Sequence, residues 1–257
     1  MAQGTALVTG ASAGLGAEFA KLCAAGGYDV VLVARNATRL AELAARLAST
    51  YGVKARPLVA DLANPAAPPE IFAQMSGTPV DLLINNAGFG VRGSYTETDW
   101  ARESGLMQVN MVSLAHLTKL FLPEMVRRRS GRILNVASTA AFVPGPFMAL
   151  YYASKAFVLS FSEALSNEVE GTGVSVTVLC PGPTRTEFAD AAGITDSNLF
   201  HGLTMGAAEV ALVGYRAMMA GKSSVIAGAR NRWMMRGVRL IPRGWVAATT
   251  RKLNLGK

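Results

Sequence analysis

The chain has 257 residues, 51 % of them hydrophobic and only 16 % charged, so it can bury a large core as one α/β domain. Its two cysteines, Cys23 and Cys180, and two histidines, His116 and His201, have neither metal-ligand nor CxxC spacing, which argues against a zinc site or a disulfide framework and fits a reducing compartment. The net charge of +8 sits at one end, because no acid follows Glu209 whereas ten Lys or Arg residues do.

The uncharged first seventeen residues lack a basic start and are glycine-rich, so they read as strand and loop rather than as a secretory signal. Ile133 to Ser154 is also uncharged, but Asn135, Ser138, Thr139 and two prolines make it buried core rather than a membrane span. A cytoplasmic protein is expected.

In chain order, Thr5 to Thr9 (TALVT) predicts a strand. A helix follows from Gly14 with its stripe at Leu15, Phe19, Leu22 and Cys23, closed by Gly26 and Gly27. Val30 to Val33 is a second strand, Asn36 to Tyr51 a second helix and Ala55 to Ala60 a third strand. A helix near Glu70 to Met75, a strand over Val80 to Ile84, and one long helix or a broken pair over Thr98 to Arg128 come next. Arg132 to Ala137 is the fifth strand, Ala149 to Val169 a helix, Val174 to Leu179 the sixth strand, Met205 to Met219 a helix and Ser223 to Ile226 a short last strand. Apolar strands alternating with amphipathic helices imply a doubly wound parallel sheet of about seven strands covered on both faces.

Ligands of such sheets bind at the carboxyl ends of the strands. The chemistry-bearing residues gather there: a glycine loop after strand one, Arg35 after strand two, Asp61 after strand three, Asn85 to Gly88 after strand four, Ser138 after strand five and Pro181 after strand six. The loop TGASAGLG, Thr9 to Gly16, has TGxxxGxG rather than GxGxxG spacing, with Gly10, Ser12, Gly14, Leu15 and Gly16 placed to meet a pyrophosphate at a helix N-terminus. About twenty residues on, a dinucleotide fold carries an acid for a ribose 2′-hydroxyl or an arginine for a 2′-phosphate; VLVARN offers Arg35 and no acid, which favours NADP(H) over NAD(H). Asp61 and the N–H of Leu62 would face the adenine, although Asp61 reads almost equally well as a helix-entry cap.

Tyr151 and Lys155 are four residues apart, hence on one helical face. Lowering a phenol from about pH 10 to between about 7 and 8 takes roughly 3 to 4 kcal/mol, and a charge about 5 Å away at an effective dielectric of about 20 supplies roughly 3 kcal/mol. Ser138, thirteen residues before Tyr151, can return across the Pro144 and Pro146 loop to the same substrate oxygen. Taken alone, a Tyr-x-x-x-Lys pair fits an ordinary packed helix better, and the rest of the chain has to lift it.

The ordered set TGASAGLG, NNAG (85 to 88), Asn110 within QVNMVS, Ser138, YYASK (151 to 155) and PGPTRT (181 to 186) resembles the short-chain dehydrogenase/reductase family over about residues 4 to 228. The resemblance implies a Rossmann sheet, a nicotinamide cofactor and a tetrad of Asn110, Ser138, Tyr151 and Lys155. It further implies that Asn86, Ala87 and Gly88 support the adenosine region, that Pro181, Gly182 and Thr184 bracket the nicotinamide, and that Tyr151 and Lys155 also touch the cofactor. Pairing through the two long helices into homodimers or homotetramers is implied as well.

On this reading Tyr151 exchanges the proton, Ser138 orients the carbonyl, Lys155 holds ribose hydroxyls and lowers the phenol pKa, and Asn110 holds a water leading to solvent. Walls expected from Phe89, Val91, Phe142, Val143, Phe147, Met148 and the loop Phe188 to Met205 with Leu199 and Phe200 favour a hydrophobic ketone, steroid-like or acyl substrate. The chain divides into a Rossmann domain, 1–228, and a basic extension, 229–257, in which arginines interleave with Trp233, Met234, Leu240, Ile241 and Trp245. That extension predicts short helices, because Gly237, Pro242 and Gly244 break a single one; they pack over the substrate loop or a partner subunit, or rest on an anionic membrane. No motif accompanies the charge to suggest nucleic-acid binding. The rival from another class is a catalytically silent nucleotide-binding scaffold or redox sensor on the same fold.

Overall fold

The computed structural model describes residues 3–187, 204–238 and 240–255. The expected substrate-loop positions 188–203, with Leu199 and Phe200, lie outside the described residues, as do His201 and Arg239.

The first half alternates β1 (Thr5–Thr9), α1 (Gly14–Ala25), β2 (Asp29–Ala34), α2 (Ala37–Tyr51), β3 (Ala55–Val59), α3 (Ala67–Gln74) and β4 (Leu82–Asn85). A long helical stretch follows as α4 (Trp100–Met107), a π-helical segment Gln108–Ser113 and α5 (Leu114–Arg128). The second half runs β5 (Gly131–Val136), a 3₁₀ turn Thr139–Phe142, α6 (Ala149–Glu168), β6 (Val174–Cys180), β7 (Thr184–Arg185), β8 (Met205–Gly206), α7 (Ala207–Met219), β9 (Ser224–Ile226), α8 (Ala229–Val238) and α9 (Arg243–Leu255). Seven parallel strands form one sheet in the order β3-β2-β1-β4-β5-β6-β9, the expected doubly wound topology.

The period of two along the strands explains why both faces are covered. Ala6, Val8, Val30 and Leu32 point toward α1, α2 and α7, where Phe19, Leu40, Leu43, Leu47, Val210 and Met218 bury them. Leu7, Val31, Val33, Leu83 and Ile133 point the other way, under Ile71, Leu117, Phe121 and Met125. Each such large side chain contributes about 1.5–3 kcal/mol by leaving water. The edge strand β3 is the exception, with exposed Arg56 and Pro57, and a proline without an N–H is tolerated at an edge.

The chain winds outward from β1 through β3 and then returns to lay β4 on the other side of β1. That reversal splays the loops after β1 and β4 apart and opens a crevice at their carboxyl ends. Three local differences from the sequence reading have physical reasons. Helix α3 begins at Ala67 because Pro68 and Pro69 fit a first turn, where no N–H is needed. The expected long helix carries a π turn at Asn110, a departure from the 3.6 period that apolar patterning cannot report. The two-residue pair β7–β8 is too short for any periodicity.

Candidate active site

At the crevice, the glycine loop adopts a shape that only small residues permit. Gly10 has φ +65°, and a Cβ on Gly16 would overlap the Gly10 carbonyl. Helix α1 then starts at Gly14 with no side-chain cap and no acid in its first turn. Its N–H groups and positive end are therefore free to receive an anion, so the cradle fits a dinucleotide pyrophosphate.

Thr9 locks this loop to the next one. Its Oγ1 accepts from the N–H groups of Asn86 and Ala87, each at 3.0 Å, while Asn86 Nδ2 donates to Thr9 O at 2.9 Å. Beneath, Asn85 Nδ2 donates to Thr118 Oγ1 (3.1 Å) and Asn135 Oδ1 (2.9 Å), and Asn135 Nδ2 donates to Ser162 Oγ (2.9 Å). This buried polar chain ties β4, β5, α5 and α6 together below the crevice. Sequence reasoning assigned no role to Thr9, Thr118, Asn135 or Ser162, whose partners are 27 to 78 residues away.

The cleft itself encloses about 930 Å³ and runs across the ends of six of the seven strands, β1 to β6. Its lining includes every expected cofactor residue except Gly16, which supports the loop from behind. Where the cleft meets the ends of β2 and β3, Arg35 is exposed and has no carboxylate partner among the described residues. One helical turn later Arg39, not anticipated, also lines the cleft and pairs with Glu187 at 2.6 Å. Asp61 lines it too, with its carboxylate accepting from Ala63 N–H at 3.0 Å; this caps a turn after β3 rather than the start of α3. Leu62 is buried, and its carbonyl accepts from Ser113 Oγ at 2.7 Å, joining the segment after β3 to the π segment.

At the other end the three expected side chains converge. Ser138 caps the 3₁₀ turn through Ala140 N–H (3.1 Å), so its hydroxyl is fixed at the end of β5 and hydrogen-bonds the Tyr151 phenol. Lys155, one turn after Tyr151 on α6, is buried; it donates to Val136 O at 2.9 Å and lies 5.9 Å from the centroid of the Tyr151 ring. All three line the same cleft, with Pro181, Gly182 and Thr184 bordering it after β6.

The electrostatics differ from the sequence expectation. Burial dominates at Tyr151 and pushes the phenol above its ordinary value, with the Ser138 hydrogen bond acting in the opposite sense. Burial also lowers Lys155 to about 8, with the neighbouring Cys180 acting weakly in the opposite sense. Burial thus acts on the phenol in the sense opposite to the lowering expected from the lysine.

Asn110 is fully buried on the π turn and does not line the cleft. Its Nδ2 donates to Phe89 O and Ser154 Oγ, both at 3.0 Å, and its Oδ1 accepts from Phe89 N–H at 3.1 Å. Its side chain thus clamps the loop after β4 to α6. Of the expected walls, Phe89 and Met148 line the cleft, whereas Phe142 packs into a separate apolar cluster with Leu159 and Phe161. Val91 is buried, Val143 packs with Met148 and Tyr152, and Phe147 lies under Arg251.

Known proteins share this fold. Residues 4–196 match the short chain dehydrogenase family. The chain is 36 % identical over 180 residues to the ketoacyl reductase HetN of Nostoc sp., an alignment covering 69 % of this chain and 62 % of that protein. To the 7beta-hydroxysteroid dehydrogenase of Collinsella aerofaciens it is 33 % identical over 180 residues, covering 70 % and 68 %. Among solved structures, a short-chain dehydrogenase from Sphingobium yanoikuyae in complex with NADPH superposes with TM-score 0.84 at 33 % identity, covering 92 % of this chain and 94 % of that one. Alignments to the curated relatives span from about half to about two thirds of their length. Sheet order, glycine cradle and matched residues together place the chain in the short-chain dehydrogenase/reductase family.

Proposed function

We propose that the protein is an NADP(H)-dependent oxidoreductase interconverting a hydrophobic ketone and its secondary alcohol. The observation that carries this reading is the convergence of Ser138, Tyr151 and Lys155 on one cleft whose other end is a pyrophosphate cradle. Gly10, Ser12, Gly14 and Leu15 would hold the pyrophosphate, Arg35 and Arg39 a 2′-phosphate, and Pro181, Gly182 and Thr184 the nicotinamide amide. When bound, the dinucleotide supplies or accepts the hydride.

The chain's own residues handle the proton. In reduction Ser138 donates a hydrogen bond to the substrate oxygen, and Tyr151 gives that oxygen its proton. A phenol kept protonated by burial is ready for this direction at neutral pH, and oxidation needs its conjugate base. Lys155, as an ammonium, stabilises the phenolate left behind. Asn110 holds Ser154 and Phe89 and so fixes the turn of α6 that carries Tyr151 and Lys155.

Phe89, Met148 and Tyr152 beside the phenol, and relatives named for ketoacyl and hydroxysteroid substrates, support a large apolar carbonyl compound. Arg35, with no carboxylate partner among the described residues, Arg39 one turn further on, and a neighbour in complex with NADPH support NADP(H). Self-association through α4–α5 and α6 is supported by exposed Val112 and by Phe157, stacked on Phe161. We place its activity in the cytoplasm, and among the described residues no helix is long and apolar enough to cross a membrane. Exposed Trp233, Leu240, Ile241 and Trp245 beside Arg232, Arg236 and Arg243 support contact of the tail with an anionic bilayer. Equal sedimentation of the full chain with neutral and anionic vesicles would remove that contact.

The test of function is oxidation of NADPH and NADH against aliphatic, aromatic, steroid and 3-oxoacyl carbonyls, with Tyr151→Phe as control. Turnover retained by the variant rejects the role of the phenol; nucleotide binding without turnover on any carbonyl favours the scaffold.

A further inference from the structure

The C-terminal helices grip the walls of the cleft. Along α9, Val246, Thr250 and Asn254 follow at intervals of four and are buried. Asn254 is fully buried; its Oδ1 accepts from the Tyr152 hydroxyl at 3.1 Å and its Nδ2 donates to Pro146 O at 2.8 Å. Three residues earlier, the Arg251 guanidinium stands 5.7 Å from the centroid of the Phe147 ring. Helix α8 touches the other wall, where a Cβ on Gly182 would run into the Asn231 amide.

What α9 holds is a strained piece of backbone. Phe147 has φ +66°, a left-handed conformation that a bulky residue keeps only when its surroundings impose it. Its carbonyl accepts from Gly93 N–H at 2.9 Å, Met148 N–H donates to Gly145 O at 3.0 Å, and Asn254 and Arg251 close the grip from α9. Of the residues fixed in this way, Met148 and Tyr152 line the cleft. The Tyr152 ring also meets Tyr151 edge-on, with centroids 5.9 Å apart. An asparagine suits the position because one amide pairs a buried hydroxyl and a buried carbonyl from different elements; an apolar side chain would strand both.

We propose that Asn254, assisted by Arg251, is a positioning residue for substrate selection. Through Tyr152 and Pro146 it fixes the Pro146-to-Met148 wall so that the space beside Tyr151 accepts one large apolar shape. Proton and hydride transfer do not depend on it. The proposal rests on the oxidoreductase reading above.

The experiment compares a steroid-sized ketone with cyclohexanone, reduced with NADPH by the full chain and by Asn254→Leu, Asn254→Ser, Tyr152→Phe and the Leu/Phe double variant. In Asn254→Leu the ratio of kcat/KM for large over small ketone should fall about tenfold through the KM of the large one, while kcat on cyclohexanone and the NADPH Kd stay within about twofold. The double variant should select no worse than Asn254→Leu, because both changes break the same bond. Hydrogen exchange at the Gly93 and Met148 amides should quicken in both Asn254 variants.

An unchanged ratio in both Asn254 variants, equal losses on both ketones, or multiplying effects of Asn254→Leu and Tyr152→Phe would overturn the proposal. Asn254→Ser, which keeps a small polar group, carries the test if the leucine variant does not fold. If the unaltered chain reduces no carbonyl, the oxidoreductase reading falls, while exchange at Gly93 and Met148 still decides whether Asn254 holds the wall; unchanged exchange would sink the positioning role.

Discussion

The two ends of the cleft solve different problems with charge. At the end beside β2, proposed for the adenosine, Arg35 and Arg39 stand in solvent, one without a carboxylate partner among the described residues and the other paired with an exposed Glu187. At the end proposed for catalysis Lys155 is buried beside Tyr151, tied to a strand carbonyl, with its pKa lowered to about 8. Exposed cations can exchange partners at little cost, which suits selection between nucleotides. A buried cation costs stability and changes protonation within the working pH range, which suits chemistry.

The largest effect expected is at the buried end. Tyr151→Phe should lower kcat by about 10³-fold, within the range of general-acid contributions, and leave NADPH binding by fluorescence within about threefold. Removing the exposed guanidinium by Arg35→Ala should raise the KM for NADPH by about 10- to 100-fold and scarcely move that for NADH, as befits a charge-assisted contact to a single phosphate. Equal changes for both nucleotides would erase the distinction between the ends. Arg39→Ala should do the same more weakly.

The pH profile sharpens the comparison. Reductive kcat/KM should fall as pH rises through about 8, where buried Lys155 loses its proton; the phenol, pushed up by burial, does not set this limb. Because the folded pKa of Lys155, about 8, lies below its ordinary 10.5, the folded chain binds fewer protons than the unfolded one between these values. Stability contributed by this group is therefore least at neutral pH and recovers as pH rises from 8 toward 10.5. Lys155→Met should accordingly cost activity yet raise stability by on the order of 1–2 kcal/mol in urea denaturation at pH 7, after allowance for the lost bond to Val136 O. A variant that is less stable at pH 7 would show that the ammonium carries no net burial cost.

A last shift concerns the floor shared by both ends. Thr9→Val keeps the shape and removes the acceptor for Asn86 and Ala87 N–H, so stability should drop by about 2 kcal/mol with NADPH binding weakened at the same time.

Much of this molecule was determined by the sequence alone: the strands and helices through their periodicities, the strand-end placement of the glycine loop, Arg35, Ser138 and Pro181, and the Tyr151–Lys155 pair through helical spacing. Those are local patterns, and apolar periodicity together with the ligand rule for parallel sheets is enough to read them. Tertiary structure alone decided the rest. It put Thr9 under the loop after β4, gave the Asn110 amide to Phe89 and Ser154, and set Arg39 opposite Glu187. It also turned part of the basic tail into a brace, by seating Asn254 between Tyr152 and Pro146. These contacts join residues 21 to 148 positions apart, and the pKa of Tyr151 and Lys155 follows from how deeply they are buried; neither partner choice nor burial depth leaves a periodic trace along the chain.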